Sequence, residues 1–525
     1  MLNRLSRIIT GLAALSGALS APPPAYLGDY SNVTTSAIEG RADPGQKLVF
    51  AHFVVGIVSN RGSADDWDKD FQMAKAAGID GFALNIGVDD FTDTQLNYAY
   101  DSAARNGMKA FISFDFNWYH TDQGEQVGQK INQYADRDAQ LKIGDKVFAS
   151  SFIGEGVDSQ AIRNSAGHDI FWIPNFWSTT DVSQVDGLFN WVAWPNNGNN
   201  KAPTSSADLH TVIGNDDAYR NALGGKPFMA PHNCVHVAHD LPQTHFGPEV
   251  SYSKNWVFPS DMLIYLRWLE ILSNPPQYLE LVTWNDYGES HYIGPLSTRH
   301  TDDGGSKWAN DMPHTGWLDL SAPFIAAYKD GSNDVATHIT EDKIIYWYRP
   351  TPKNINCDAT DTTEADANNS TGNYFKGRPD GWDTLADDVF VVALLTSPGT
   401  VRVNTGGTAY DFAAPAGASG FSVPFNTGAQ AFSLYRGDPN APSLHAVSLK
   451  QIVNECPCGI YNFNAYVGTV PEQPADQLDG DGLAQFSNGL KVQCQSNTLG
   501  NVPAEPAITA TMAASAVATQ PPIRR

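Results

Sequence analysis

The densest group of residues able to do chemistry is the segment Thr283–His291, which reads TWNDYGESH. Asp286 and Glu289 follow an apolar run directly, and Gly288 between them predicts a tight turn. In such a turn both carboxylates face one pocket, and a carboxylate pair is the minimum for acid/base hydrolysis of a glycosidic bond. The same spacing would also be seen if Asp286 only capped a turn and Glu289 only formed a salt bridge in the loop, with no catalytic role for either. The neighbouring side chains favour the sugar site: Trp284, Tyr287 and His291.

A third carboxylate, Asp115, lies between Phe114 and Phe116. A charge among apolar neighbours needs a partner, so Asp115 either serves the same site or binds a backbone amide or an arginine. Polar residues also end each of the apolar runs described below, where the active site of a barrel enzyme is built. Besides Asp286, these residues are His52, Asn85, Asp115, Asn117, Glu155, Asn175, Trp177, Trp194, His232, Asn233 and Asn285.

The spacing of histidines and cysteines predicts neither a metal nor a cofactor. His52 and His232 are interpreted as core or rim residues, and no predicted barrel helix carries two histidines at helical spacing. Cys456 and Cys458 have one residue between them, whereas zinc ligands usually have two to four. The alternative of a metal-dependent barrel hydrolase is therefore disfavoured, because the sequence shows no set of residues spaced as metal ligands.

The elements that must position these residues form a repeating pattern of an apolar run, a polar stretch and a helix-like segment. Each run is apolar on both faces, as parallel strands covered on both sides are. This pattern predicts a closed (β/α)8 barrel over residues 45–331. An open doubly wound sheet would carry a Gly-rich loop after its first strand, and none follows here. The runs are Lys47–Gly56, Gly81–Gly87, Lys109–Asn117, Val147–Glu155, Asp169–Trp177, Gly187–Trp194, Pro227–Asn233 and Tyr278–Asp286.

Helical periodicity separates most of these runs. Apolar residues at i, i+4 and i+7 predict a helix around Trp67, Phe71 and Ala74, and the same spacing recurs at Leu96, Tyr100 and Ala103. The fifth unit is weak, because only a short polar stretch separates Trp177 from Gly187. Two further helices are predicted over Asp261–Leu272 and Ala322–Lys329.

The pattern changes after Gly331. Short β-prone segments separated by Gly, Pro and Asn predict a β-sandwich over residues 332–447, with a polar loop over 351–385. A small cysteine-bearing segment is expected over 448–499, and a disordered tail rich in Ala, Thr and Pro over 500–525. The predicted strands are Lys343–Tyr348, Val389–Leu395, Thr400–Val403, Gly420–Val423 and Ala431–Leu434.

The N-terminus has the features of a secretory signal peptide over residues 1–20, followed by a lead segment over 21–44. Arg4 and Arg7 precede the short apolar run Ile8–Leu19, which ends in small residues. Export agrees with acceptor triplets for N-glycans at Asn32 and near Asn368. Of the five cysteines, four are expected to pair, with Cys234 left free.

Charge and composition limit the kinds of molecule that this protein is expected to bind. A net charge of −24 repels phosphate backbones, so nucleic acid is not an expected partner. No segment of about 18 apolar residues is present, so no membrane span is expected. Aromatic residues make up 11% of the chain, and their faces stack well on sugar rings.

Several of these segments together resemble glycoside hydrolase family 71, the fungal endo-acting α-1,3-glucanases or mutanases. The stretches that carry the resemblance read AHFVVGIV, AGIDGFALNIG, KNWVFPSD and, above all, VTWNDYGESHYIGPL. The similarity covers roughly residues 45–350 and extends toward the downstream β-rich region. It implies a secreted or cell-wall enzyme that acts as a monomer, without cofactor, on the polysaccharide α-1,3-glucan.

The resemblance also implies an inverting mechanism with Asp286 and Glu289 as catalytic residues and Asp115 as a third. Glu289 is assigned the acid and Asp286 the base, with the reverse assignment open, and Asp115 shares or supports the base. Inversion requires an acid and a base about 6.5–9.5 Å apart. The aromatic residues expected as sugar platforms are Trp118, Tyr119, Trp177, Trp194, Trp284 and Tyr287.

One segment departs from the family pattern. Where members tend toward Met-Ala-Pro-Val-Ser-Pro-Trp, residues 229–235 read MAPHNCV. The loop after the seventh predicted strand therefore leaves open a different linkage specificity. It also leaves open a weakly active or inactive protein that binds α-glucan in the wall.

Overall fold

The computed structural model describes residues 41–194, 210–233, 236–238, 256–258, 261–300, 308–309, 311–360, 378, 382–438, 440–473, 476 and 502–519. The predicted signal peptide, the acceptor asparagines Asn32 and Asn368, and the cysteines Cys234 and Cys494 lie outside these residues. Within them, no helix is both long enough and apolar enough to cross a bilayer.

Residues 48–282 contain the strands of a curled sheet, and each of the eight predicted apolar runs contributes one. A short hairpin strand and a separate two-stranded ribbon are added to these eight. The strands are β1 (Leu48–Val54), β2 (Gly81–Ile86), β3 (Lys109–Asp115), β4 (Lys142–Ile143), β5 (Lys146–Phe152), β6 (Ile170–Pro174), β7 (Leu188–Phe189), β8 (Phe228–Asn233), β9 (His236–Ala238), β10 (Trp256–Phe258) and β11 (Tyr278–Val282).

The ladder of this sheet runs β6-β5-β3-β2-β1-β11-β8-β7, and every pairing in it is parallel. The strand order is therefore the one that the sequence predicts. Between β6 and β7 there is no ladder. Hydrogen bonds span the gap: the Asp186 amide donates to the Trp172 carbonyl at 2.9 Å, the Trp172 amide donates to Asp186 Oδ2 at 3.0 Å, and Asn175 Nδ2 donates to the Phe189 carbonyl at 3.1 Å. The structure thus supports a curled parallel sheet, and the predicted closed barrel is confirmed only to that extent.

Helices cover the outer face of the curled sheet. The helices predicted from periodicity are confirmed in α1 and α2, where Trp67, Phe71, Leu96 and Tyr100 are buried. The weak fifth unit holds a single 3-10 turn, Val182–Gln184, in place of a helix. The helices are α1 (Asp65–Ala76), α2 (Thr92–Arg105), α3 (Gly124–Tyr134), α4 (Ser159–Ser165), α5 (His210–Leu223), α6 (Leu263–Ser273) and α7 (Thr315–Asp330).

The last helix is longer than predicted. It was expected over Ala322–Lys329, but α7 begins at Thr315 and carries Pro323 in its interior. Proline removes one backbone donor and interrupts the periodic pattern, so the sequence marks only the part that follows it.

Aromatic rings fill the interior of the curled sheet at its amino-terminal end. The ring centroids of Phe50 and Phe111 are 4.9 Å apart, and those of Phe111 and Phe148 are 4.5 Å apart. Tyr278 closes the same buried cluster. Because this end is packed, the open space of the sheet lies at its carboxyl-terminal end, where the predicted catalytic residues are.

The β-rich unit that follows consists of two five-stranded sheets. Their orders are β19-β12-β13-β16-β21 and β18-β17-β14-β15-β20. The sheets share one buried cluster, in which the rings of Tyr346 and Phe432 stack at 3.7 Å. The strands are β12 (Lys343–Tyr348), β13 (Asp388–Leu395), β14 (Gly399–Thr405), β15 (Thr408–Ala414), β16 (Gly417–Pro424), β17 (Gln430–Tyr435), β18 (Pro442–Val447), β19 (Tyr466–Val470), β20 (Ala510–Ala513) and β21 (Ala518–Thr519).

The C-terminal boundaries differ from those expected. Strand β19, in the segment expected to stand apart, pairs antiparallel with β12. Strands β20 and β21, in the expected disordered tail, pair with β15 and β16. Edge strands leave unpaired backbone groups, so a chain segment rich in Ala and Thr can be ordered by sheet edges that the sequence pattern does not reveal.

Cys357 and Cys456 form a disulfide that links the stretch after β12 to the segment before β19. The bond closes a sequence separation of 99 residues. It agrees with the expectation that most of the cysteines pair.

We expect the double variant Cys357→Ser/Cys456→Ser to unfold at a lower temperature than the wild type. A cross-link over so long a loop restricts the unfolded chain and typically stabilises a protein by about 2–4 kcal/mol. Thermal unfolding with and without a reducing agent checks this. Reductant should lower the transition of the wild type by more than that of the double variant, which lacks the Cys357–Cys456 bond. Equal transition temperatures for the two proteins without reductant would contradict the expectation.

Candidate active site

A cavity of about 450 Å³ opens at the carboxyl-terminal edge of the curled sheet. It collects side chains from the ends of β1, β2, β3, β5, β6 and β7 and from the turn after β11. Ten of the residues selected from the sequence line it: His52, Asn85, Asp115, Asn117, Glu155, Asn175, Trp177, Trp194, Asp286 and Glu289.

The turn after β11 directs Asp286 and Glu289 into this cavity. The Asp286 amide donates to Thr283 Oγ1 at 2.9 Å, and the Glu289 amide donates to Asp286 Oδ1 at 3.1 Å. The tight turn expected around Gly288 is present. The residue in the left-handed region, however, is Ser290, with φ 59°. Both carboxylates are held half-buried at the cavity wall, with side-chain exposures of 26% and 32%.

Asp286, Glu289 and the buried His291 form one cluster. A carboxylate oxygen of each acid and a ring nitrogen of His291 lie within 4.8 Å of one another. His291 Nε2 is 2.7 Å from Glu289 Oε2 and 3.8 Å from Asp286 Oδ2. The other ring nitrogen, Nδ1, lies 3.3 Å from Thr283 Oγ1. The cluster has the donor types of a cation site, and the same geometry suits the sharing of a proton between two acids.

Charge in this cluster shifts the pKa values of its members. Burial, and then the charge of Glu289, raises the pKa of Asp286 to about 6. Burial alone would lower the pKa of His291, but the carboxylates of Asp286 and Glu289 raise it. Asp286 therefore holds a proton in mildly acidic solution, while Glu289 lies against the His291 ring.

Asp115 reaches the same cavity from the end of β3. Its Oδ1 accepts a hydrogen bond from the Asn117 amide at 2.9 Å. Burial raises the pKa of Asp115 to about 6, although this hydrogen bond and the charge of His52 act in the opposite direction. The sequence suggested a backbone amide as one partner for Asp115, and the structure shows that partner together with a place at the cavity.

His52, at the end of β1, lies on the cavity floor against a carboxylate that the sequence analysis did not select. Its Nδ1 is 2.7 Å from Oε1 of Glu280, a fully buried residue in β11. The second carboxylate oxygen, Oε2, has no hydrogen-bond partner among the described residues. Burial raises the pKa of Glu280.

Tryptophan rings form the walls of the cavity. Trp191 makes edge contacts with His52 at 4.7 Å and with Phe152 at 4.6 Å between ring centroids. Trp194 stacks on His291 at 6.4 Å. Trp177 stands on the rim with 63% of its surface exposed, and Glu155 Oε1 holds its backbone amide at 3.0 Å. This combination of flat rings and polar groups suits a sugar.

Four predicted residues of the TWNDYGESH segment do not line the cavity, contrary to expectation: Trp284, Asn285, Tyr287 and His291. Trp284 is buried behind the sheet and donates from Nε1 to Asp70 Oδ1 at 2.8 Å. Asn285 bridges both backbone groups of Val54, and Tyr287 donates to the Pro295 carbonyl at 2.8 Å. Through these hydrogen bonds the three residues hold the turn that carries the acids.

Other predicted contact residues also lie elsewhere. His232 is buried against Trp268 and bonds to the Ile264 carbonyl at 3.2 Å, and burial lowers its pKa. Tyr119 is buried beside Phe114, and burial raises its pKa to about 12. The remaining two do not line the cavity either: Trp118, which is 37% exposed, and His291, which contacts Glu289 from behind.

Sequence reasoning missed four residues of the site. Trp191 and Asn190 precede the selected Trp194 in the run GLFNWVAW, and Tyr219 enters from α5. Glu280 was missed although it is the one charged residue within the buried strand YLELV. A charge in a strand covered on both faces was the signal that could have found it.

The chain matches the family described as Glycosyl hydrolase family 71 over residues 45–479. It is 39% identical to a mutanase of Penicillium rubens over 431 residues, which covers 81% of this chain and 88% of that protein. It is 35% identical to a glucan endo-1,3-alpha-glucosidase of Schizosaccharomyces pombe over 448 residues, or 81% and 95% of the two chains. An ascus wall endo-1,3-alpha-glucanase of the same yeast is 28% identical over 392 residues, or 69% and 82%.

Solved structures offer only a distant match. A GH99 endo-alpha-mannosidase from Bacteroides thetaiotaomicron aligns at a TM-score of 0.38 and 12% identity, over 52% of this chain and 81% of that one.

The match over most of the chain defines the class of the protein, which is a glycoside hydrolase. Within that class, the chain belongs to glycoside hydrolase family 71.

Proposed function

We propose that this enzyme cleaves α-1,3-glucosidic bonds inside chains of α-1,3-glucan, with inversion, outside the cell or in the cell wall. The observation that carries the proposal is a single cavity in which the Asp286–Glu289 pair and Asp115 come from different strand ends. The named activities of the relatives from Penicillium rubens and Schizosaccharomyces pombe support the choice of linkage. The proposal treats the curled sheet as the barrel of a (β/α)8 enzyme with its site at the carboxyl edge.

Asp286 is the better candidate for the general acid. An acid must hold a proton at the working pH, and the pKa of Asp286 is raised to about 6 by burial and by Glu289. Glu289, paired with His291 at 2.7 Å, supplies the neighbouring charge that keeps this proton in place. The assignment reverses the first choice from the sequence and follows the alternative that was left open there.

Asp115 is the better candidate for the base. Asp286 and Glu289 have oxygens within 4.8 Å of each other, whereas an inverting pair needs about 6.5–9.5 Å between carboxyls. Asp115 lies three strands away from β11, and neighbouring strands are about 4.8 Å apart, so the two strands are separated by about 14 Å along the sheet. Inward-pointing side chains shorten that distance, which leaves room for a sugar and an attacking water between Asp115 and Asp286.

The rim of the cavity suits a polymer. Trp177 presents an open face, and Asn85 Nδ2 has no partner among the described residues, so it can donate to a sugar hydroxyl. A second cavity of about 380 Å³ is lined by later residues of the same two loops, including Gln160 and Gln184. An endo-acting enzyme needs such contacts on both sides of the bond that it cleaves, so this cavity is a candidate for binding further sugars of the chain.

We expect Trp177→Ala to raise KM for soluble α-1,3-glucan oligosaccharides about 3–10-fold with little change in kcat. Loss of a stacking face removes about 0.5–1.5 kcal/mol of binding, and Trp177 stands on the rim of the cavity with 63% of its surface exposed. Trp118→Ala is the matched control, because Trp118 is also partly exposed but packs against Gly87 and does not line the cavity. Steady-state kinetics would contradict the role of Trp177 if both variants behaved alike.

The proposed function is tested by product analysis on insoluble α-1,3-glucan. The wild type should release oligosaccharides of several lengths from this glucan and none from β-1,3-glucan or α-1,4-glucan, and a chelator should not change the rate. Asp286→Asn and Glu289→Gln serve as negative controls, because we expect both variants to fold and to lose most of the activity. Binding of the glucan by the wild type without release of reducing sugar would overturn the proposal in favour of a wall-binding protein.

A further inference from the structure

The turn that carries the two acids is closed by hydrogen bonds between the chain that enters it and the chain that leaves it. On the entering side, the Trp284 amide donates to the His52 carbonyl of β1 at 2.7 Å, so the curled sheet holds this side. The leaving side is the segment 291–296, and the Thr283 amide bonds to it by donating to the His291 carbonyl at 2.8 Å. The position of both acids therefore depends on what holds the segment 291–296.

The C-terminal β-rich unit holds the segment 291–296 at two points. Asn464 Nδ2 donates to the hydroxyl of Tyr292 at 3.2 Å, and the Leu296 amide donates to Asp476 Oδ2 at 2.9 Å. These bonds join residues that are 172 and 180 positions apart in the sequence. Asn464 and Tyr292 are fully buried, and the Asp476 side chain is only 10% exposed. Because water has little access to these groups, both bonds are stronger than they would be on an open surface.

Further contacts fix the stretch of the β-rich unit just before β19, which contains one of these two points. Trp308 donates from Nε1 to the Tyr461 carbonyl at 2.8 Å. The His314 ring stacks on Tyr292 with 3.9 Å between centroids, and its Nε2 lies 3.0 Å from the Ala465 carbonyl. This stretch is therefore held firmly beside the segment that leaves the acid turn.

We propose that Asn464 and Asp476 are positioning residues of the active site, through which the β-rich unit holds the acid turn in its working geometry. This role rests on the proposed function of Asp286 and Glu289. Neither Asn464 nor Asp476 lines the cavity, so each acts through the segment 291–296 and not on the sugar.

Loss of such a contact should change kcat and leave KM in place. Proton transfer to the leaving oxygen depends on the placement of the acid, and a misplacement of about 1 Å caused by a distant substitution can lower a rate about 10²-fold. The tryptophan rings and the amides that bind the sugar lie on other strand ends, so substrate binding does not depend on the acid turn in the same way.

The test compares Asp476→Ala with Asp476→Asn in steady-state kinetics on a soluble α-1,3-glucan oligosaccharide. Asp476→Ala removes the acceptor of the Leu296 amide, and we expect kcat to fall about 10–100-fold with KM within about twofold of the wild type. Asp476→Asn keeps an acceptor oxygen, so its kcat should stay within about threefold of the wild type.

Two results would overturn the proposal. One is a folded Asp476→Ala variant with the kcat of the wild type. The other is an equal loss in both variants, because it would assign the effect to the charge that Asp476 presents to Lys69 at 3.7 Å. If the wild type cleaves no α-1,3-glucan, the proposed function fails instead.

Two further variants keep the test decisive. Asn464→Ala removes the contact to Tyr292 and tests the same role where Asp476→Ala does not fold. Its kcat should also fall with KM unchanged, and a kcat equal to that of the wild type would overturn the proposal. Asp411→Ala is the matched control, because Asp411 pairs with Arg402 at 2.7 Å within the other sheet of the same unit. It should leave kcat and KM unchanged, and a loss of kcat equal to that of Asp476→Ala would contradict a specific role for the two contacts.

Discussion

Asp286→Asn should lower kcat on α-1,3-glucan about 10³-fold while the protein remains folded. General acid catalysis contributes about 10²–10⁴-fold, and an amide cannot deliver a proton to the leaving oxygen. The amide side chain is nearly isosteric with the acid and can still accept the hydrogen bond from the Glu289 amide, which is 3.1 Å long in the wild type. The turn that carries both groups is therefore kept.

A substrate that needs no acid separates this role from a general loss of binding. Fluoride leaves without protonation, so an α-1,3-linked oligosaccharyl α-fluoride should be hydrolysed by Asp286→Asn at a rate within about tenfold of the wild type. The comparison of polymer and fluoride rates is the measurement. If the variant loses both activities equally, Asp286 is not the acid.

The stability of the same variant relative to the wild type should increase as pH rises. The folded state raises the pKa of Asp286 to about 6, so the carboxyl contributes full stability below its unfolded pKa, near 4, and loses it as pH rises through 6. Asparagine imitates the protonated form at every pH. Above pH 7, Asp286→Asn should therefore be more stable than the wild type by about 1–3 kcal/mol, and equally stable near pH 4.

Asp115→Ala should abolish activity on both the polymer and the fluoride, because activation of water is needed for either substrate. The expected loss is again about 10³-fold. Removal of the side chain leaves space beside the reacting carbon for a small anion. Azide should restore turnover of the fluoride and give the β-glycosyl azide, since attack occurs from the face opposite the leaving group.

The control for Asp115 is Asn117→Ala. Asn117 also lines the cavity, and the substitution removes its side-chain contact to Asp115 but keeps the backbone amide that donates to Asp115 Oδ1. This variant should retain its base and show no azide effect. Azide rescue in neither variant, or the α-azide as product, would contradict the assignment of Asp115.

Much of the fold follows from local pattern. Strands covered on both faces leave continuous apolar runs, so β1 and β11 are found within the predicted Lys47–Gly56 and Tyr278–Asp286. The pairing of strands that are far apart in sequence cannot be predicted in this way. The addition of β20 to β15 and of β21 to β16 depends on which sheet edges are open, and no short-range signal carries that information.

Residues of the candidate site could be predicted where a side chain able to do acid/base chemistry lies at the end of a predicted strand. Asp115, Asp286 and Glu289 were predicted because each ends or follows an apolar run, and all three line one cavity. The direction of each side chain was not predictable, because it depends on the backbone conformation of the turn, which the sequence pattern does not reveal. Trp284 and Tyr287 lie in the core, although they flank the acids in sequence.

The central claim, an acid and a base that face each other across one cavity with a water between them, is tested most directly by the anomeric form of the first product. Proton NMR during the first minutes of cleavage of a soluble α-1,3-glucan oligosaccharide measures this form before mutarotation. Inversion at Asp115 and Asp286 predicts the β-anomer. Initial release of the α-anomer would contradict the account and would point to a covalent intermediate on one of the closely spaced acids.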